Sequence, residues 1–163
     1  YNALIGGLLR RGITPVATLC HWDLPAALGH WATGDREGLV GAFAHYACAC
    51  FAAFGDRVKE WITINEPWVV AALGNGMGVH APGRRDVAEL YEAGHVLLLA
   101  HAAAVSSYRA DYQRAQGGRI AITLDGDWAY PQGGDADADG VAAASIYMDF
   151  RVGWFAHHIW GEG

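Results

Sequence analysis

The chain is short of basic residues and of long apolar runs, and each shortage excludes a class of partner. Its 163 residues include 11 Lys and Arg against 17 Asp and Glu, which gives a formal net charge of -6. Without a basic face to neutralise phosphates, the sequence argues against nucleic acid or an anionic membrane as a partner. The apolar runs are short and broken by glycine, histidine or charge, so we expect no membrane-spanning segment.

Cysteine is also scarce, and the three cysteines cannot all pair with one another. Cys48 and Cys50 are two positions apart in a helical pattern and point in different directions, while Cys20 falls at the end of a predicted strand. Buried, reduced thiols are expected instead of a disulfide or a metal site, which is typical of a cytoplasmic protein. No signal peptide is visible, but the chain begins with Tyr1 and is expected to be a segment of a longer protein.

Hydrophobic periodicity predicts helices that alternate with strands. The helical patterns cover residues 1–11, about 35–54, 86–115 and 141–150, and the strand patterns cover residues 14–19, 58–66 and 119–124. Alternation with long crossovers predicts parallel strands covered by helices, an α/β fold. Periodicity alone leaves open whether the strands form an open sheet or part of a barrel.

The strand that ends in Asn65 and Glu66 carries the strongest chemical signal. Pro67 stops this strand and fits the first position of a following helix, because it has no N–H to leave unpaired. A carboxyl group held among Trp61 and Trp68 would lose solvation, which favours the protonated form that a general acid needs. Asn65 offers an uncharged donor and acceptor, which suit a sugar hydroxyl. The alternative is that the Asn-Glu-Pro run only caps a helix and leaves Glu66 in solvent.

Several motifs follow one another along the whole chain. They are TLCHWDLP at residues 18–25, FGDRVK at 54–59, WITINEPW at 61–68, HAPG at 80–83, AGH at 93–95 and VGWF at 152–155. With these motifs the sequence resembles glycoside hydrolase family one, the β-glucosidase and β-galactosidase group. The resemblance implies a retaining β-glycosidase, most simply a β-glucosidase, that acts on a small-molecule or oligosaccharide β-glycoside without metal or cofactor.

The resemblance also implies the fold. Family members are (β/α)₈ TIM barrels, and residues 1–163 are expected to be a single segment of that catalytic domain, about strands three to five with their helices. A whole barrel takes about 250 residues, so this chain is expected not to close one.

The same resemblance assigns the site residues. Glu66 matches the general acid/base, Asn65 the partner of the sugar 2-hydroxyl, and His21 a donor to the 3-hydroxyl with Trp22 beside it. Trp68 lies where the family contacts the aglycone. Because barrel enzymes build their sites at the C-terminal ends of strands, the two motifs should converge on one pocket. The family's nucleophile motif, Ile-Thr-Glu-Asn-Gly, does not occur in the sequence. The nucleophile is therefore expected outside this chain, and the 163 residues alone are expected to be inactive.

Two other functions stay open. Asn-Glu-Pro also occurs in related barrel glycosidases such as endo-glucanases, although HWDLP together with HAPG disfavours that assignment. A non-catalytic sugar-binding relative is the second alternative, because the nucleophile is not visible.

Two patterns that could suggest metal binding have simpler explanations. The alternating aspartates at residues 135–139 copy the first half of a calcium loop, but the twelfth position holds Ile146 in place of Glu. A solvated loop with a helix cap is expected there. His95 and His101 are six positions apart, which does not suit a shared metal, so we expect packed helix histidines.

Overall fold

Three parallel strands form one sheet in a computed structural model, which describes residues 1–161. The strands are β1 (Val16–Cys20), β2 (Glu60–Asn65) and β3 (Arg119–Thr123), in the order β1-β2-β3. Both pairings are parallel, and the pairing of β2 with β3 shifts register between Ile62 and Asn65. The predicted parallel α/β arrangement is confirmed, and within the described residues the sheet is open.

Helices separate and follow these strands. They are α1 (Asn2–Leu9), α2 (Arg36–Phe54), α3 (Val87–Ser107), α4 (Gln113–Gln116), α5 (Ala138–Met148) and α6 (Trp154–Trp160), with a 3₁₀ turn at Ala26–Leu28 and π-helical segments at Val69–Gly76, Tyr108–Tyr112 and Asp149–Gly153. The first π-helical segment includes Gly74 and Gly76, whose propensity alone would favour a loop. The helical backbone continues through Gly76.

Aspartate side chains fix where three helices begin. The Asp35 carboxylate accepts a hydrogen bond from the Gly38 N–H, and the Asp86 carboxylate accepts from the N–H groups of Ala88 and Glu89. These two predicted starts are confirmed. Asp137 caps α5 in the same way, so this helix starts three residues before the predicted start. The cap satisfies N–H groups that have no partner within the helix.

The core lies between the sheet and the apolar faces of α2 and α3. Helix α2 buries every fourth residue from Leu39 to Ala47 and then Phe51, as its periodicity predicts. The Phe51 ring packs against Trp61 of β2, with ring centroids 5.0 Å apart, and against Tyr108, at 4.8 Å. Aromatic packing therefore joins α2 to the first half of β2 and to the end of α3.

Helix α2 also bears on the expectation that no segment crosses a membrane. Among the described residues it is the one helix that is long and apolar enough to do so by length and composition. A helix that packs Phe43 and Phe51 into a protein core passes the same test, so the finding is weak evidence. The absence of a membrane partner stays a prediction.

The cysteines are free, as predicted, but they are not equally buried. Cys20 is buried, whereas Cys48 and Cys50 are only partly buried. Burial raises the pKa of the Cys20 thiol to about 11, so this thiol stays protonated at neutral pH.

Candidate functional site

The ends of β1 and β2 bring the predicted residues together. Cys20 pairs with Ile64 in the sheet register, so the residues that follow them lie at the same edge. Asn65 Nδ2 lies 3.4 Å from His21 Nε2, and the Trp22 indole N–H donates to the Asn65 carbonyl oxygen at 3.2 Å. The predicted convergence of His21, Trp22 and Asn65 is therefore present in the structure, although residues 21 and 65 are 44 positions apart.

Aromatic rings form one wall of this site. The Trp22 ring centroid lies 5.1 Å from that of His21 and 5.2 Å from that of His80. Trp22 is 41% exposed, so part of its ring is open to a ligand. His80 belongs to the HAPG motif, which the fold thus places beside the HWDLP motif. The HWDLP and HAPG motifs therefore contribute to one surface, which carries imidazole, indole and amide groups.

Glu66 follows β2 in an unusual backbone conformation. Its φ angle is +52°, a left-handed value that non-glycine residues rarely adopt, and Trp22 has φ +76°. The Glu66 N–H donates to the Thr123 carbonyl at 2.8 Å, and the Glu66 carbonyl accepts from the Val69 N–H at 3.0 Å. Strained backbone of this kind costs about 1–3 kcal/mol and persists where the surroundings determine it. The backbone of Glu66 does begin a helical turn, and its side chain is half-buried.

The expected surroundings of the Glu66 carboxyl group are partly wrong. Trp61 lies near the start of β2, and at about 3.3 Å per residue it is about 16 Å along the strand from Glu66. Its ring is 2% exposed and packs edge-on against Phe51 in the core. Trp61 therefore supports the sheet and does not desolvate the carboxyl group. The alternation of side chains along β2 did not show that Trp61 lies too far from the strand end to surround the Glu66 carboxyl group.

Trp68 lies close to Glu66 in sequence, but its ring has little free surface. It is 7% exposed. The Phe150 ring packs edge-on against it at 5.8 Å, and the Arg151 guanidinium carbon lies 3.7 Å from the centroid of the indole. One ring face is thus covered by the Arg151 cation, and little of the ring is exposed for the predicted aglycone contact, which stays a prediction.

Arg151 is a residue that the sequence analysis missed. Its Nη2 atom lies 3.0 Å from Asp125 Oδ2 and 3.4 Å from Asp127 Oδ2. The Arg151 side chain is 12% exposed and that of Asp125 is 23% exposed, so this pair is largely shielded from water, whereas the Asp127 side chain is 76% exposed. The two carboxylates follow β3 and the arginine lies about 25 positions later, so no local motif predicts the pairing. The only sequence signal is an acidic stretch followed by one arginine in the π-helical segment Asp149–Gly153.

A buried polar pair lies behind the sheet. Thr63 Oγ1 is 2.8 Å from His101 Nδ1 and donates to the Ala121 carbonyl at 3.2 Å. Because the hydroxyl has a single proton, Nδ1 of the imidazole must then donate to Oγ1. Burial, with a smaller contribution from Arg109, lowers the pKa of His101 to about 4. His101 is thus a packed, neutral histidine as predicted, whereas His95 is exposed.

Metal binding finds no support in this geometry. Within residues 1–161 there is no group of three or more His, Cys, Asp or Glu side chains placed to hold an ion. Of the aspartates at residues 135–139, Asp137 supplies the cap of α5.

Known proteins resemble the chain throughout its length. It is 44% identical over 172 residues to β-glucosidase 1B of Phanerodontia chrysosporium, covering 98% of this chain and 32% of that protein. It is 47% identical to β-glucosidase 42 of Arabidopsis thaliana, covering 95% and 32%. The structure superposes with a TM-score of 0.93 on the crystal structure of a double mutant of the Trichoderma harzianum β-glucosidase, at 40% identity, covering 99% of this chain and 35% of that one.

These relatives are about three times as long as the residues they share with this chain. The family model for glycosyl hydrolase family 1 matches residues 1–163. The chain belongs to glycosyl hydrolase family 1.

Proposed function

We propose that this chain supplies the acid/base half of the active site of a retaining β-glycosidase, with a β-glucoside as the expected substrate. The observation that carries the proposal is the meeting of His21, Trp22 and Asn65 beside Glu66 at the ends of adjacent parallel strands. Relatives named β-glucosidases support the choice of substrate. We also infer that β1 to β3 are strands three to five of a barrel.

Glu66 is proposed to act in two steps. Its carboxylic acid gives a proton to the glycosidic oxygen while a carboxylate nucleophile bonds to the anomeric carbon and the aglycone leaves. The Glu66 carboxylate then takes a proton from water, which attacks the anomeric carbon and releases the sugar with retained configuration. The two carboxyl groups must lie about 5 to 5.5 Å apart. We propose that the nucleophile comes from sequence outside this chain, so that the 163 residues alone do not hydrolyse glycosides.

Asn65 and His21 are proposed to hold the sugar. The Asn65 amide can bond the 2-hydroxyl, a contact that strengthens in the transition state of glycosidases. His21 Nε2, 3.4 Å from the amide nitrogen of Asn65, is close enough to reach the neighbouring 3-hydroxyl. Trp22 would complete the sugar contact with its exposed ring. Trp68, which is buried under Arg151, is better suited to support Glu66 than to bind the aglycone.

Covalent trapping tests the reaction. The full-length protein that contains these residues should be inactivated by a 2,4-dinitrophenyl 2-deoxy-2-fluoro-β-glucoside, with one equivalent of sugar on a Glu outside this segment. An otherwise identical α-glycoside is the matched control and should label nothing. Hydrolysis with inverted configuration would contradict the retaining mechanism. Binding of glucosides without either adduct or turnover would instead favour the sugar-binding relative.

A substrate lacking one hydroxyl tests the role of Asn65. With 4-nitrophenyl β-glucoside, Asn65→Ala should lower kcat/KM about 100-fold, because the 2-hydroxyl contact contributes several kcal/mol in the transition state. With the corresponding 2-deoxyglucoside the same substitution should have little effect, since the partner hydroxyl is absent. Equal losses with the two substrates would contradict the assignment.

A further inference from the structure

We propose that Arg151 is a positioning residue for the acid/base: it holds the backbone that carries Glu66 by stacking on Trp68 and pairing with Asp125. This inference rests on the proposed function of Glu66. It differs from it because Arg151 touches neither substrate nor the reacting atoms in the proposed reaction.

The contacts form a closed ring around the strand end. The Glu66 N–H donates to the Thr123 carbonyl at the end of β3. Two residues further along, Asp125 pairs with Arg151 at 3.0 Å. The Arg151 guanidinium lies 3.7 Å above the ring of Trp68, which is two residues after Glu66. The cation therefore joins the ends of β2 and β3 at the point where the carboxyl group is carried.

These contacts hold the backbone of Glu66 in an uncommon conformation. Glu66 adopts φ +52°, a conformation that a non-glycine residue keeps only when its surroundings determine it. The hydrogen bond to Thr123 fixes the backbone before Glu66, and the buried ring of Trp68 fixes the backbone after it. Without the cation on its face, the indole would lose one of the groups that hold it in place. A shift of about 1 Å at a catalytic group can lower a rate about 100-fold.

The chemistry of the pairing favours arginine over lysine. A planar guanidinium can stack on an indole face and pair with a carboxylate at the same time, whereas an ammonium is a point charge. Both carboxylates, Asp125 and Asp127, are reached by the single atom Nη2 of Arg151. Lysine could therefore reproduce the ion pair but not the stacking. The two contributions can be separated by substitution.

Leaving-group dependence distinguishes positioning of an acid from general stability. Departure of phenol from phenyl β-glucoside needs protonation by the acid, whereas 2,4-dinitrophenolate leaves without it. In the full-length protein, Arg151→Gln should lower kcat/KM about 10- to 100-fold for the phenyl glucoside. For the dinitrophenyl glucoside the loss should stay below about threefold, because little acid catalysis is needed there. Arg151→Lys should give an intermediate loss with the phenyl glucoside.

The matched control is Arg36→Gln. Arg36 makes a bidentate ion pair with Glu92 at the surface, joining α2 to α3, and this variant should leave both rates unchanged because neither residue pairs with Glu66, Trp68 or Asp125. Equal losses of the two rates in both Arg151 variants, or no loss in either, would overturn the inference and leave the proposed function standing. A wild-type protein that hydrolyses neither glucoside would remove the proposed function, and the inference with it. If Arg151→Gln does not fold, Arg151→Lys alone decides, by the ratio of its two rates.

Discussion

Acidification below pH 6.5 should destabilise the protein through His101. Burial lowers the pKa of this imidazole from 6.5 to about 4. Between these values the unfolded chain binds a proton that the folded chain does not, so the free energy of unfolding falls as the pH falls. The contribution is fully present above pH 6.5 and amounts to about 3 kcal/mol, lost as the pH drops to 4.

Urea unfolding at pH 7, 6 and 5 measures this contribution. Between pH 7 and 5 the wild type should lose about 2 kcal/mol more than His101→Gln, which has no imidazole to protonate. The Gln side chain can still hydrogen-bond to the Thr63 hydroxyl. A loss of packing in this variant lowers the free energy of unfolding equally at each pH, so it does not change the pH dependence. His95→Gln, an exposed histidine on the same helix, is the control and should follow the wild type. Parallel curves for the wild type and His101→Gln would refute the reasoning.

Two further predictions concern stability. Phe51→Ala should lower the free energy of unfolding by about 3–5 kcal/mol in urea denaturation. It removes a ring that is 0% exposed and packs on Trp61. A loss below about 1 kcal/mol would mean that the core does not depend on this ring. Asp86→Ala removes the side-chain acceptor of the Glu89 N–H and should cost about 1 kcal/mol, whereas Asp86→Asn should cost less because its amide oxygen still caps α3. Equal stability of the two Asp86 variants would contradict the capping role.

The elements that periodicity predicted well are those that local chemistry determines. Helix α3 begins at its Asp86 cap, and β2 ends at Asn65, two residues before Pro67, because capping and proline geometry depend on neighbouring residues. The approach of His21 to Asn65 could be predicted from parallel strand order together with the family resemblance. What could not be predicted depends on contacts between distant residues. The position of Trp61 in the core is one example, and the burial of Trp68 under Arg151 is another.

The π-helical segments were also invisible in the sequence. Val69–Gly76 carries glycines at positions 74 and 76, which favour a loop by propensity. Gly74 lies against the Ala81 carbonyl, and a Cβ there would approach that oxygen to 2.8 Å, so glycine at this position serves close packing. A single sequence does not distinguish a glycine needed for a turn from one needed for close approach.

Azide rescue of Glu66→Ala tests the central claim most directly. In a retaining enzyme that has lost its acid/base, 2,4-dinitrophenyl β-glucoside still forms the glycosyl-enzyme, but water attacks that intermediate slowly because no base assists it. Azide needs no base. In the full-length protein, azide should therefore raise the turnover of Glu66→Ala and give β-glucosyl azide as the product, while wild-type turnover stays unchanged. An α-glucosyl azide, or no rescue at all by azide in a variant that still releases dinitrophenol, would contradict the assignment of Glu66 as the acid/base.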